Sequence, residues 1–156
     1  MKGNTKLIEQ LNQLLSEELT AISQYMVHSE MCDNWGLGRL HKAIEKQAID
    51  EMHHAEWLIG RIIFLEGTPN ASKLNPMKIG KTVPEIIAHD KEAELAAVAA
   101  HNAGIRLAAQ EGDEGSAELM RKILEDEERH EDWNEAQQDQ MGQMGVENYL
   151  STQTEG

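Results

Sequence analysis

Cysteine is almost missing from this chain: Cys32 stands alone in 156 residues, so no internal disulfide can form. A reducing compartment is the simpler reading of that absence. Proline occurs three times and aromatic residues make up 4% of the chain. With Ala, Leu, Ile, Glu, Gln and Met plentiful, this composition points to an all-α fold. Basic residues are outnumbered two to one, 14 Lys and Arg against 28 Asp and Glu, for a net charge of −14. Phosphate backbones would be repelled, which argues against nucleic acid as a partner. An acidic surface is either simply solvated or attracts and concentrates cations. No apolar run approaches the ~20 residues of a membrane span, and Met1 to Lys6 lacks the apolar core of a signal peptide. The expectation is a cytoplasmic protein without membrane contact. Its length fits a single domain over residues 1–156, large enough to bury a proper core.

What the chain does have is helical periodicity, four times over. Thr5 to about Asp33 carries Leu7, Leu11, Leu14, Ala21 and Tyr25 on one stripe, and Glu18 falls on that stripe while Glu17 does not. Leu15, Leu19, Ile22 and Met26 widen the apolar face beyond what one bundle core needs. After the break at Asn34 to Gly38, a second helix runs from about Arg39 to Glu66. Leu40, Ile44, Ala48, Leu58, Ile62 and Leu65 form its inner line, with Glu51 and His54 within it; Ile49, Met52, Ile59 and Ile63 form a second line. A helix apolar on two faces is deeply buried or packs on a partner chain. Gly67 to Thr82 is too long for a tight turn and long enough to cross the length of a bundle. The third helix runs from near Val83 to Glu111, with Ile87, Glu94, Val98, His101 and Ile105 on one side. Ser116 is expected to cap the fourth, which aligns Met120, Ile123, Glu127, His130 and Gln137. Gly142 and Gly145 stop it, leaving Val146 to about Ser151 for a short fifth helix.

Four stripes that should be apolar thus each hold a carboxylate, Glu18, Glu51, Glu94 and Glu127. Two of them add a histidine three residues on, His54 and His130, so that each Glu-x-x-His pair projects from one face. Burying an unpaired carboxylate costs on the order of several kcal/mol, and four together repel. No Lys or Arg lies on the inner lines to compensate. Two divalent cations would bring four positive charges against four negative ones. Mixed oxygen and imidazole donors suit iron better than calcium or magnesium, with manganese and zinc as competitors. Two Glu-x-x-His helices and two single-Glu helices make up the ligand set of ferritin-like di-iron bundles.

The chain resembles bacterioferritin, the haem-containing branch of the ferritins, over nearly its whole length. The stretches that carry the resemblance are Leu19 to Tyr25 (LTAISQY), Ile49 to Ala55 (IDEMHHA), Ile62 to Gly67 (IIFLEG), Asp126 to Trp133 (DEERHEDW) and Met144 to Tyr149 (MGVENY). The resemblance implies a ferritin-like four-helix bundle with one long crossover and a short C-terminal fifth helix. It also implies a di-iron ferroxidase centre of Glu18, Glu51, His54, Glu94, Glu127 and His130, with Glu51 and Glu127 bridging and Tyr25 beside it. Met52, with its copy from a second subunit, would ligate a b-type haem, lined by Leu19, Ile22, Ser23, Met26 and Ile49.

Further implications are a homo-oligomeric shell of twenty-four subunits built from haem-bridged dimers, and an iron–sulfur ferredoxin as reductant. Ferrous iron would be oxidised by O₂ or H₂O₂ and stored as a ferric mineral, with haem aiding its release. Lys46 and Gln47 depart from the pattern, standing where some relatives carry His and Glu for an additional iron. Ser23 replaces a common asparagine, and His53 points away from the centre. The competing readings are a rubrerythrin-like oxidase or peroxidase, for which one cysteine cannot build the second metal site, a DNA-protecting miniferritin, and a metal-free helical scaffold.

Overall fold

The structure, a computed structural model, describes residues 1–155. Its regular elements among the described residues are all helical: α1 (Thr5–Asn34), α2 (Gly38–Phe64), α3 (Val83–Gln110), α4 (Glu114–Met144) and a short α5 (Val146–Ser151). The ends follow local chemistry. Asn4 caps α1 by accepting the Leu7 N–H at 3.1 Å. Thr82 caps α3 by accepting the Glu85 N–H, and Pro84 sits in the first turn, where its missing donor is harmless. The expected Ser116 cap of α4 is corrected: Asp113 is the cap, accepting the Ser116 N–H at 3.0 Å and the Ser116 hydroxyl at 2.6 Å. Both residue types cap helices; here Asp113 precedes the first turn and Ser116 lies within it, and Arg61 of α2 ties the two together by donating to each at 2.8 Å.

The segment between α2 and α3 has no regular structure of its own, yet it is fastened along α1 one or two turns at a time. Asn12 accepts the Asn70 N–H at 2.8 Å, Thr20 the Asn75 N–H at 2.8 Å, Gln24 the Lys78 N–H at 3.1 Å and His28 the Gly80 N–H at 3.0 Å. These four residues of α1, four or eight apart, lie along one row that winds slowly round the helix. The chain therefore climbs the whole bundle beside α1 before α3 begins, which makes α2 and α3 parallel, as the length of the crossover predicts. The principal pairings are α1 with α2 and α3 with α4.

Two apolar clusters close the ends of the bundle. One gathers Leu7, Leu11, Leu14, Leu58, Ile62, Met120 and Ile123. The other gathers Tyr25, Cys32, Leu40, Ile44, Ile86, Ile87, Met141 and Tyr149. Tyr149 anchors α5 by donating from its hydroxyl to Gln137 Oε1 at 2.6 Å. Between the clusters lies a belt of buried polar side chains. No described helix is long and apolar enough to cross a membrane.

Candidate metal centre

Each long helix turns one carboxylate into this belt. Glu18, Glu51, His54, Glu94, Glu127 and His130 are all buried, none more than 6% exposed. Their donor atoms form two overlapping groups, each within 4.8 Å: Glu18, Glu51, His54 and Glu127, then Glu51, Glu94, Glu127 and His130. Glu51 and Glu127 belong to both. His54 Nδ1 lies 2.9 Å from Glu127, 3.3 Å from Glu51 and 3.5 Å from Glu18. His130 Nδ1 lies 3.0 Å from Glu51 and 3.3 Å from Glu94. All six residues singled out from the helical stripes therefore come together. Tyr25 joins them, its hydroxyl donating to Glu94.

The far side of each imidazole is held by an aspartate that the stripe analysis missed. His54 Nε2–H donates to Asp126 at 2.7 Å and His130 Nε2–H to Asp50 at 2.9 Å. Each aspartate is thus the immediate neighbour of the glutamate on one helix and grips the histidine of the other. The pairing leaves Nδ1 of each ring as the face presented to the centre. Arg129 in turn contacts Asp126, and Lys46 reaches Asp50 at 3.3 Å.

No Lys or Arg pairs with the four central carboxylates among the described residues, and their electrostatics show a deficit of positive charge. Burial, then the charge of Glu51, raises the Glu18 carboxyl well above its usual range. Burial and the charges of Glu18, Glu51 and Glu94 do the same to Glu127. Glu51 goes the other way: burial would raise it, but hydrogen bonds with Glu18, His130 and His54 hold it well below the ordinary value. Burial opposes charge on His54, yet Glu18 and Glu51 outweigh it and push the ring up to about 10. His130 is likewise pushed up to about 10, by Glu51 and Glu94. Two carboxyls pushed towards their neutral form beside imidazoles pushed towards their charged form mark a cluster short of positive charge. Both oxygens of Glu18, one of Glu94 and one of Glu127 have no hydrogen-bond partner. Buried polar atoms of this kind are normally satisfied, and two divalent ions would satisfy these.

A cavity of about 220 Å³ joins this belt to the surface. Glu18, Tyr25, Glu51 and Glu127 line its inner part, while Pro76, Lys78 and Glu92 line the exposed part. Lys78 and Glu92 pair there at 2.6 Å. Glu17, off the inner stripe, lines the same cavity, and burial pushes its carboxyl up to about 7.

The second predicted group lies apart. Met52 is about half exposed on the outer face of α2, with Ile49 and Met26 also exposed. Leu19, Ile22 and Ser23 are half-buried beside them, and the Ser23 hydroxyl is turned back to Leu19 O at 3.2 Å. His53 is exposed, and it takes no part in either ligand group. Gln47 is buried with an unpaired Oε1, and Lys46 is exposed.

A family model described as a ferritin-like domain matches residues 8–144, placing the chain in the ferritin-like class. The chain is 42% identical to a bacterial ferritin of Synechocystis sp., covering 98% of this chain and 99% of that one. It is 41% identical to a bacterioferritin of Brucella melitensis, with 96% and 92% covered, and 40% identical to one of Streptomyces coelicolor, with 97% and 91% covered. The chain belongs to the bacterioferritin family.

Proposed function

We propose that this protein stores and detoxifies iron, oxidising ferrous ions at the centre formed by Glu18, Glu51, His54, Glu94, Glu127 and His130. The observation that carries this reading is the pair of overlapping donor groups sharing Glu51 and Glu127, buried with imidazoles but with no Lys or Arg beside them. Glu18 and His54 serve one ferrous ion, Glu94 and His130 the other, and Glu51 and Glu127 lie between them. Iron is substrate here, reaching the centre through the cavity beneath Lys78 and Glu92. Each ferrous ion gives up one electron; two electrons and two protons reduce O₂ to H₂O₂, or H₂O₂ to two waters. Carboxylate oxygens favour the harder ferric product. Asp50 and Asp126 keep the imidazoles oriented throughout, and Tyr25 steadies Glu94.

The product is held as ferric mineral inside a hollow shell of twenty-four subunits. The exposed apolar strip of Met26, Ile49 and Met52 would hold a b-type haem shared with a second copy of the chain, the Met52 thioether being a donor that haem iron accepts. Bound there, haem would pass electrons inward for reductive release, supplied by an iron–sulfur ferredoxin. This chain's part is to present the thioether and shield one flank with Leu19, Ile22 and Ile49.

Stopped-flow mixing of ferrous salt with aerobic protein tests the oxidation. Glu51→Ala and His54→Ala should each lose the rapid phase, and unchanged kinetics would refute the assignment. Met52→Leu should lose haem absorbance while oxidation continues; an unaltered Soret band removes Met52 from the account.

A further inference from the structure

The halves of the bundle repeat one another at a fixed offset. Glu18, Tyr25, Asp50, Glu51, His54 and Trp57 are matched 76 residues later by Glu94, His101, Asp126, Glu127, His130 and Trp133. The contacts repeat too, since Asp50 holds His130 while Asp126 holds His54. Five of these six pairs are identical residues. The exception is Tyr25 against His101, each two turns beyond the single glutamate of its helix. Tyr25 reaches across to Glu94. His101 reaches across to Glu18, its Nε2 lying 3.7 Å from Oε1.

The two do not offer the same chemistry. A tyrosine hydroxyl donates a hydrogen bond to the carboxylate. His101 cannot, because its ring is fixed by Nδ1–H donating to Ala97 O at 2.8 Å, which leaves Nε2 with a bare lone pair. That nitrogen is fully buried and has no hydrogen-bond partner. A lone pair facing a carboxyl oxygen is unfavourable unless a proton or a cation serves both, and at 3.7 Å a proton on Glu18 cannot bridge the two. Two donors bound at about 2.1 Å to one ion can lie up to ~4 Å apart, so 3.7 Å, too long for a hydrogen bond, suits a shared ion. The ion beside Glu18 otherwise draws donors from α1, α2 and α4 only, and His101 would supply the missing helix.

We propose that His101 is a seventh ligand of the centre, an imidazole donor to the ion capped by Glu18. The inference rests on the metal-centre reading above and adds an inequality between the two positions. The position beside Glu18 has two imidazoles, His54 and His101; the position beside Glu94 has only His130. Borderline cations that favour imidazole therefore fill the Glu18 position first.

Co²⁺ alone, which O₂ does not oxidise here, is the probe. Crystals of the assembled protein given one Co²⁺ per subunit should show anomalous density at the Glu18 position, within bonding distance of His101 Nε2. In His101→Leu the first ion should move to the Glu94 and His130 position. Calorimetric titration should show the tighter of two binding steps weakened at least 10–100-fold, the loss that even an outer partner of a ligand causes. Two ions in the wild type with His101 Nε2 beyond about 3 Å of either, or unchanged filling order and affinities in the variant, would overturn the proposal and leave the six-residue centre standing. No ion at either position would overturn both. The wild-type crystal decides the ligand question even if the variant fails to fold.

Discussion

Glu127→Gln, compared with Glu18→Gln, separates a shared ligand from a terminal one by heat alone. An ion that binds only the folded state at a hundred times its dissociation constant adds about 2.7 kcal/mol. Two ions then add roughly 5 kcal/mol, and a chain of this size gains ~2–4 °C per kcal/mol, so saturation with Zn²⁺ should raise Tm by roughly 10–20 °C. Glu127 lies in both donor groups and Glu18 in one. Glu127→Gln should therefore lose nearly all of the rise and Glu18→Gln about half. Without metal the Glu127→Gln protein should melt no lower than wild type, because burial and the neighbouring charges raise that carboxyl's pKa and favour its neutral form, which an amide resembles. The assay is calorimetry with and without Zn²⁺ on the three proteins. Equal losses in the two variants, or a full rise in Glu127→Gln, would refute the assignment of Glu127 as shared.

Asp113→Ala should cost about 0.5–2 kcal/mol in urea melts through loss of the α4 cap. Although partial burial opposes it, hydrogen bonds from Ser116 and Arg61 lower the folded-state pKa of Asp113 below its unfolded value. Its stabilisation is therefore complete above the unfolded pKa of about 4 and disappears as pH falls through the lower folded value; the variant's melts should lack that component. Burial, then the charge of Asp90, pushes the Cys32 thiol up to about 12. Thiol reagents at pH 8 should leave the native protein unlabelled and modify it fully in denaturant; rapid native labelling would contradict the burial. Gly80→Ala would set a Cβ 2.5 Å from Ile86 N and 2.8 Å from Glu85 C, with only backbone to yield. It should cost about 1–3 kcal/mol and expose the crossover to limited proteolysis, and wild-type resistance would argue against that close approach.

The helices and six of the central residues were legible because each stripe carries its own anomaly. A glutamate among leucines needs no knowledge of the other helices, and Glu-x-x-His marks a face by itself. The crossover could be read from its length alone. Asp50 and Asp126 were not legible, since each acts on the histidine of another helix, and the relative register of α2 and α4 is set only by folding. His101 sat on the same predicted side as Glu94, but its significance depends on Glu18 lying opposite and on Ala97 O fixing its tautomer. The α4 cap is Asp113 rather than Ser116 because the helix begins three residues earlier than expected, and two chemically suitable neighbours leave that start open in the sequence. Glu17 was judged off-stripe, which is so, and it nonetheless borders the cavity that the crossover helps to enclose.

The apolar clusters at either end give the polar belt the character of a beam supported at both ends. Leu58, Ile62 and Met120 secure one end, Ile44, Ile87 and Met141 the other, and none of these contacts depends on what the middle contains. The bundle can then stay folded while its middle is empty, even though bound ions would add to its stability, and the span between the two supports can stay strained by its own like charges.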